Sequence, residues 1–539
     1  MRRIVDFLGS DRAPWLLAAA AALCLSFLAV WFGGLNQDEG WYLYAAQMVR
    51  EGRFPFHDFF YTQGPAMPFV YSVLAPAWGM SSPLHGLLGG RVVTLALGFL
   101  ATLCAMGLAR RLVPPGRRGV AGLAVFAVLA CNVYHLYFTA IPKTYALGSL
   151  FVLAGLLQIA CALVPADGGP FRGGVRSALM LAAGGLSLAF ATGTRISLLL
   201  ILPVVGFTLL LRFRDFRWSF LWFGLGGALG LFLTYGLFAL DPVSLRALLA
   251  AQGYHAARGG FDPFFAVGSV SRLARGYAAL GAVLFAAAFL RCRAGGAAPA
   301  RTAGQSAVCW MLGLGFAAVF LLQLSAPFPY DDYQVPVMGM LAVLIVSWFA
   351  RGGTGAGAAW YAVFAACMVS FASPQLQEWA TYGQDRFWSR KKEMTELAKL
   401  RAVGREIEAL DPGGKTLFTQ DLYLAIETGR AVPRGMEMGP FCYFPHWGDE
   451  ESRAVHVLNR GAMTELVRSA PAPVAACSGY AFAISVPKCD EVPADEQRRY
   501  AAELERNYDL VRTVPDFGQN ATPLRLYRRK AAQQGGEAK

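Results

Sequence analysis

Asp38 and Glu39 are neighbouring carboxylates a few residues beyond an apolar stretch that runs to about residue 35. Ionisable groups at membrane depth are costly to place and usually mark a site. The chemistry open to such a pair is proton transfer or cation binding. The structural alternative makes Asp38 a helix N-cap and Glu39 a first-turn charge that suits the helix dipole. Two basic residues stand out for where they lie. Lys143, in the turn TAIPKTYAL, is the only lysine in the first 374 residues. Arg195 interrupts an apolar run from Ser177 to Leu211 at ATGTRISLLL. A compact ammonium and a forked guanidinium both suit phosphate. A snorkelling lysine, or an arginine paired with Asp38 or Asp58, is the bland counterpart.

Further polar groups accompany them. RFPFHDFFYTQGP places His57, Asp58, Tyr61 and Gln63 among aromatics, a surface suited to sugar rings or lipid headgroups and equally to an interfacial belt. GYHAARGGFDPFF supplies Tyr254, His255, Arg258 and Asp262, expected in a loop that covers a site from above. SAPFPYDDYQVPVMG supplies Tyr330, Asp331, Asp332 and Tyr333.

The elements that must position these groups are membrane helices. The 539 residues are 55% hydrophobic and only 15% charged, against about a quarter charged in soluble domains. The net charge of +13 arises within residues 1–374, which hold 25 Lys/Arg and 12 Asp/Glu; residues 375–539 hold 23 of each. This distribution argues against a nucleic-acid partner and makes the lipid bilayer the first one. Charge-poor stretches of the length needed to cross about 30 Å of hydrocarbon predict about eleven crossings. They fall at 14–35, 84–109, 119–140, 143–164, 177–193, 195–212, 218–240, 271–291, 305–325, 334–350 and 358–373. The apolar but proline-broken segment 65–80 reads as an interfacial helix. Arg110, Arg111, Arg117, Arg118, Arg212, Arg214, Arg217 and Arg351 then share one side, which the positive-inside bias makes cytoplasmic together with the N-terminus. The other side receives the acidic pair, Lys143, Arg195 and the polar C-terminal part.

The stretch from Asn36 to Trp78 resembles the first external loop of the polytopic GT-C glycosyltransferases. The similar branch holds the lipid A aminoarabinose transferases, the protein O-mannosyltransferases and the RgtA/B/C/D-like enzymes. The likeness rests on Asp38-Glu39 after the first span, a following helix with Tyr44 and Ala45-Ala46 expected to lie on the membrane surface, GRFPFHDFF, and QGP before a second surface helix. It implies a GT-C-like bundle over residues 1–373, with a first external loop at 36–83; residues 374–539, on the extracytoplasmic side by the topology above, form a separate α/β domain. It also implies inverting transfer of a sugar from a polyprenyl-phosphate donor to an extracytoplasmic acceptor, in a plasma (inner) membrane. By that resemblance Asp38 is the base and Glu39 orients it, the acceptor or a divalent cation, while Lys143 and Arg195 hold the donor phosphate. Asp331 and Asp332 depart from the His or Arg more usual in the late loop of these bundles.

From Pro374 onward the composition is that of soluble protein. A long charged helix to Leu410, a strand at TLFTQ, a helix at LYLAIETG, one or two buried strands within PAPVAACSGYAFAISVP, and a helix–strand–strand ending at PLRLYRR predict a small α/β domain. Glu437, Tyr443 and His446 are its candidates for reaching the membrane site, and Cys477 with Cys489 for a disulfide. Two readings compete with transfer: a non-catalytic transporter or flippase of lipid-linked sugar, and a membrane assembly protein. The first should show polar residues along mid-span paths and matched broken helices. The second has no use for an acidic pair facing Lys143 and Arg195.

Overall fold

The computed structural model describes residues 12–75, 78–82, 84–165, 171, 173–256, 260–294, 300–352, 356–381, 393–480 and 492–531. Among them, seven helices are long and apolar enough to cross a membrane: Ala13–Phe32, Gly86–Arg111, Thr144–Leu163, Val175–Thr194, Ser219–Ala239, Ala303–Leu324 and Asp331–Gly352. Three further apolar pairs are bent, Pro115–Ala130 with Val133–Ala140 by 69°, Pro263–Gly276 with Ala278–Leu290 by 71°, and Gly357–Phe371 with Pro374–Thr381 by 56°. The shorter Ile196–Leu211 is also apolar. The chain is a multi-pass membrane protein; among the described residues it has seven such spans, or ten if each bent pair is one, against the eleven expected, the expected span 195–212 being the short helix Ile196–Leu211.

Arginines gather at one end of the bundle and serve helix C-termini, whose last carbonyls lack partners within the helix. Arg111 donates to Val164 O (2.8 Å), Arg117 to Ala350 O (3.0 Å), and Arg351 to Leu112 O (2.9 and 3.1 Å). The acidic pair, Lys143 and the C-terminal domain lie at the opposite end.

That domain carries a four-stranded sheet: β1 (Phe418–Thr419), β2 (Val474–Cys477), β3 (Tyr508–Phe517) and β4 (Thr522–Arg529), in the order β1-β2-β4-β3. β1 runs parallel to β2; β4 is antiparallel to both neighbours. Helices Glu396–Leu410, Leu422–Thr428 and Ala494–Asn507 pack beside it with Leu400, Ile407, Leu424 and Leu504 buried. The strand–helix alternation expected from sequence is present. The expected long charged helix appears as Pro374–Thr381 and Glu396–Leu410, with 382–392 outside the described residues. Cys489 also lies outside them, so the Cys477 pairing has no structural counterpart to report.

Two local expectations are corrected. The helix Gln37–Arg50 does not lie free on a membrane surface. Trp41, Tyr42, Leu43, Tyr44 and Met48 are all buried, because the C-terminal domain roofs it. A Cβ on Gly40 would strike the backbone nitrogen of Tyr423, which is why glycine stands at that contact. The stretch from Asp241 to Ser271 is not an open loop: it forms helices Pro242–Ala256 and Pro263–Gly276, the latter N-capped by Asp262 on Phe264 N and Phe265 N.

Candidate functional site

Asn36 begins the site. Its side chain accepts from Asp38 N (3.1 Å) and its backbone N–H donates to Glu39 Oε1 (2.9 Å), a capping box. The cap is therefore Asn36 and not Asp38, which leaves the Asp38 carboxylate available. One residue on, Glu39 turns into the bundle. Its two oxygens take Arg91 Nε and Nη2, both at 2.7 Å, with neither side chain exposed at all. Arg91 also donates to Val30 O, Gly33 O and Gly34 O at 2.9–3.0 Å, so all five of its N–H donors are used. Arg91 thereby closes the C-terminus of Ala13–Phe32 and fixes where Asp38 stands. Sequence reasoning missed it; the signal was a charged residue inside the apolar GLLGGRVVTLAL.

Asp38 faces the other way. Its Oδ1 accepts the Trp41 indole N–H (3.1 Å), and its Oδ2 lies 2.9 Å from Lys143 Nζ. The same ammonium donates to Asp332 Oδ2 (3.0 Å), which also receives the Tyr145 hydroxyl (2.8 Å). The Asp38 side chain keeps 20% of its surface, against 7% for Lys143 and 14% for Asp332. Arg195 completes the cluster through rings: its guanidinium stacks 4.3 Å from the Tyr333 centroid and 5.3 Å from that of Tyr145.

Arg195 is held by a broken span. Helix Val175–Thr194 stops at Arg195, which is extended, and a 3-10 turn, Ile196–Leu200, restarts the chain. The QGP segment wedges here. A Cβ on Gly64 would overlap the carbonyl oxygen of Gly193, and the Tyr235 hydroxyl, carried on the π-turn Phe232–Gly236, donates to Thr192 O (2.8 Å). The first loop and the broken span thus position one another.

Other sequence candidates fall elsewhere. His57 Nδ1 pairs with Asp241 Oδ2 (2.8 Å), a bond that raises the His57 pKa and ties the loop to helix Pro242–Ala256. Asp58 Oδ2 accepts from Phe54 N (2.6 Å), shaping its own loop. Tyr61 is buried with its ring edge-on to Trp41, Tyr42, Phe56 and Phe59, and its hydroxyl has no hydrogen-bond partner. Gln63 is half-buried beside Gly64. Tyr254 and His255 end helix Pro242–Ala256, and Arg258 lies outside the described residues. Asp331 and Asp332 point apart: Asp331 accepts from Tyr134 (2.7 Å) and Arg272 Nε (2.9 Å), so the acid on Lys143 is Asp332. In the outer domain, Glu437 pairs with Arg53 of the first loop (2.9 Å), while Tyr443 bonds Glu496 and Tyr500 inside the domain. Tyr480 donates to Gln37 Oε1 (2.9 Å) and Gln519 Oε1 accepts from Gln37 N (2.8 Å), bringing the outer domain to within one residue of Asp38.

With that arrangement established, the chain superposes on ArnT from Cupriavidus metallidurans bound to undecaprenyl phosphate. The TM-score is 0.57 over 98% of this chain and 100% of that one, at 13% identity. The fold is ArnT-like and of GT-C type. Looser matches reach the apo oligosaccharyltransferase of Archaeoglobus fulgidus, with a TM-score of 0.45, 10% identity and coverage of 86% of this chain and 69% of that one. AglB of the same organism, in complex with an inhibitory peptide and a dolichol-phosphate, gives 0.44, 11%, 96% and 75%. No family model and no curated protein matches the sequence.

A divalent cation at Asp38 and Glu39 does not fit the geometry there. Glu39 is consumed by Arg91, and Asp38 faces an ammonium that a dication would have to displace or repel. Among the described residues no group of three or more His, Cys, Asp or Glu is placed to hold a metal.

Proposed function

We propose that the protein transfers a sugar from a polyprenyl-phosphate donor to an acceptor at the outer face of a bacterial-type inner membrane, with inversion. The observation that carries this reading is the Asp38–Lys143–Asp332 cluster with Arg195 beside it, at the end of the bundle opposite the arginine-rich loops. Outside the cytoplasm an activated sugar must arrive on a lipid carrier, whose phosphate lies at the interface.

In the proposed reaction an acceptor hydroxyl attacks the anomeric carbon as the bond from that carbon to the phosphate oxygen breaks. Asp38, the more exposed carboxylate of the cluster, takes the hydroxyl proton. The leaving phosphate gains negative charge at the same moment. Lys143 is then released from a carboxylate that has become neutral, and its charge with that of Arg195 stabilises the departing group. Asp332 and Tyr145 hold Lys143 and Arg195 in place between turnovers. Glu39 works through position alone: locked to Arg91, it sets the helix start from which Asp38 projects.

The test is transfer of label from a radiolabelled polyprenyl-phosphate sugar in membranes carrying the protein. Label covalently joined to an acceptor supports the reading. Lipid-linked sugar that only changes leaflet replaces it with a flippase.

A further inference from the structure

A cavity of about 300 Å3 is lined in part by Asp331, and neither Lys143 nor Asp332 lines it. Its lining includes Asn132, Tyr134, Arg272, Arg275, Asp331 and Gln375. Of its charged side chains, two are arginines and one is a carboxylate, which leaves an excess of one positive charge. Arg272 is oriented by Asp331 Oδ1 (2.9 Å) and Ser269 Oγ (2.9 Å), and Asp331 by the Tyr134 hydroxyl, so the basic edge of the cavity is braced. Asn132 donates to Gly276 O (3.0 Å), joining two of the three bent helix pairs that line the cavity.

Both arginines belong to helix Pro263–Gly276, and the other face of that helix shows where it sits. Ala266, Ser269 and Leu273 are buried against the bundle. Phe264 and Val267 are 87% and 69% exposed, and Val270 is exposed beside them. An amphipathic helix with such an outward stripe lies in the boundary between acyl chains and headgroups. Its arginines then stand at the depth of lipid phosphates.

We infer that this cavity binds the phosphate headgroup of a bilayer lipid, in a site separate from the Asp38–Lys143 cluster and independent of the transfer reaction. The lipid's acyl chains lie along Phe264, Val267 and Val270, and its phosphate meets Arg272 and Arg275 as a charge-assisted acceptor.

The test titrates the detergent-solubilised full chain with phosphatidylglycerol and counts bound lipid by native mass spectrometry. The wild type should retain one tightly bound phosphatidylglycerol that a large excess of inorganic phosphate fails to displace. Arg275→Gln should weaken it roughly tenfold and Arg275→Lys much less. Asp38→Asn should leave the count unchanged, so the result stands whether or not sugar transfer does. Equal binding by the wild type and Arg275→Gln overturns the site. Displacement by inorganic phosphate, measured on the wild type alone, reduces it to a small-anion site and overturns the lipid assignment.

Discussion

Glu39 and Arg91 form a two-point ion pair, both contacts 2.7 Å long, with neither side chain touching solvent. Removing one partner of such a pair strands a buried charge, at a cost of about 3–5 kcal/mol. Arg91→Met should therefore lower the melting temperature of the solubilised protein sharply, and Glu39→Gln, which keeps shape and one acceptor, should lower it less. A Glu39→Gln variant that is fully stable but wholly inactive would give Glu39 a direct role in the chemistry.

Lys143 serves two carboxylates, Asp38 at 2.9 Å and Asp332 at 3.0 Å. Lys143→Met should reduce transfer roughly a hundredfold or more, by removing charge stabilisation at the leaving group, and should also destabilise the bundle by leaving Asp332 unpaired. Adding Asp332→Asn should restore the melting temperature without restoring transfer. Recovery of both would make Lys143 a purely structural counter-ion.

Gly40 is the point at which the roof meets the site. Alanine is a better helix former by about 1 kcal/mol, yet here its Cβ would strike Tyr423 N. Gly40→Ala should cost about 1–3 kcal/mol as overpacking and open the outer domain to protease. Unchanged proteolysis would mean that the two parts shift to accommodate the methyl group.

How far the site could be read from the sequence depended on how unusual each residue was. Asp38, Lys143 and Arg195 are out of place for charge or type in an apolar, arginine-using chain, and the structure gathers them. Arg91 is as unusual, but it looks like one more arginine until its five acceptors are seen, three of them carbonyls that sequence does not distinguish. Asp331 and Asp332 are inseparable by pattern; a 3-10 turn at Asp331–Gln334 sends one to Arg272 and the other to Lys143. His57 and Asp58 sit among aromatics as sugar-binding residues do, yet their hydrogen bonds go to Asp241 and to their own loop. The spans were legible through length and hydropathy, whereas the bends between Ala130 and Val133 and between Gly276 and Ala278 depend on packing between helices.

Asp421 gives the outer domain a pH dependence. It is buried, with Oδ1 accepting from Tyr423 (2.7 Å) and Ser478 (3.1 Å) and Oδ2 lacking a hydrogen-bond partner. Burial pushes its pKa up to about 6 from 3.8. The folded state holds the proton more tightly than the unfolded chain, so the stability this group contributes below about pH 4 is lost as pH rises through 6. The difference is on the order of 3 kcal/mol. Asp421→Asn, which can keep the acceptor and replaces the unpartnered oxygen with an amide, should raise the melting temperature at pH 7.5 and flatten its dependence between pH 4 and 6. An unchanged slope would assign the pH dependence to another group.

Asp38→Asn isolates the proton acceptor, because the amide keeps the size of the side chain and an oxygen to accept from Trp41 while losing the basicity. Transfer of labelled sugar from polyprenyl phosphate should fall to background in membranes that hold normal amounts of the folded variant. Transfer at the wild-type rate by Asp38→Asn would contradict the assignment of Asp38 as the base and, with it, the proposed mechanism.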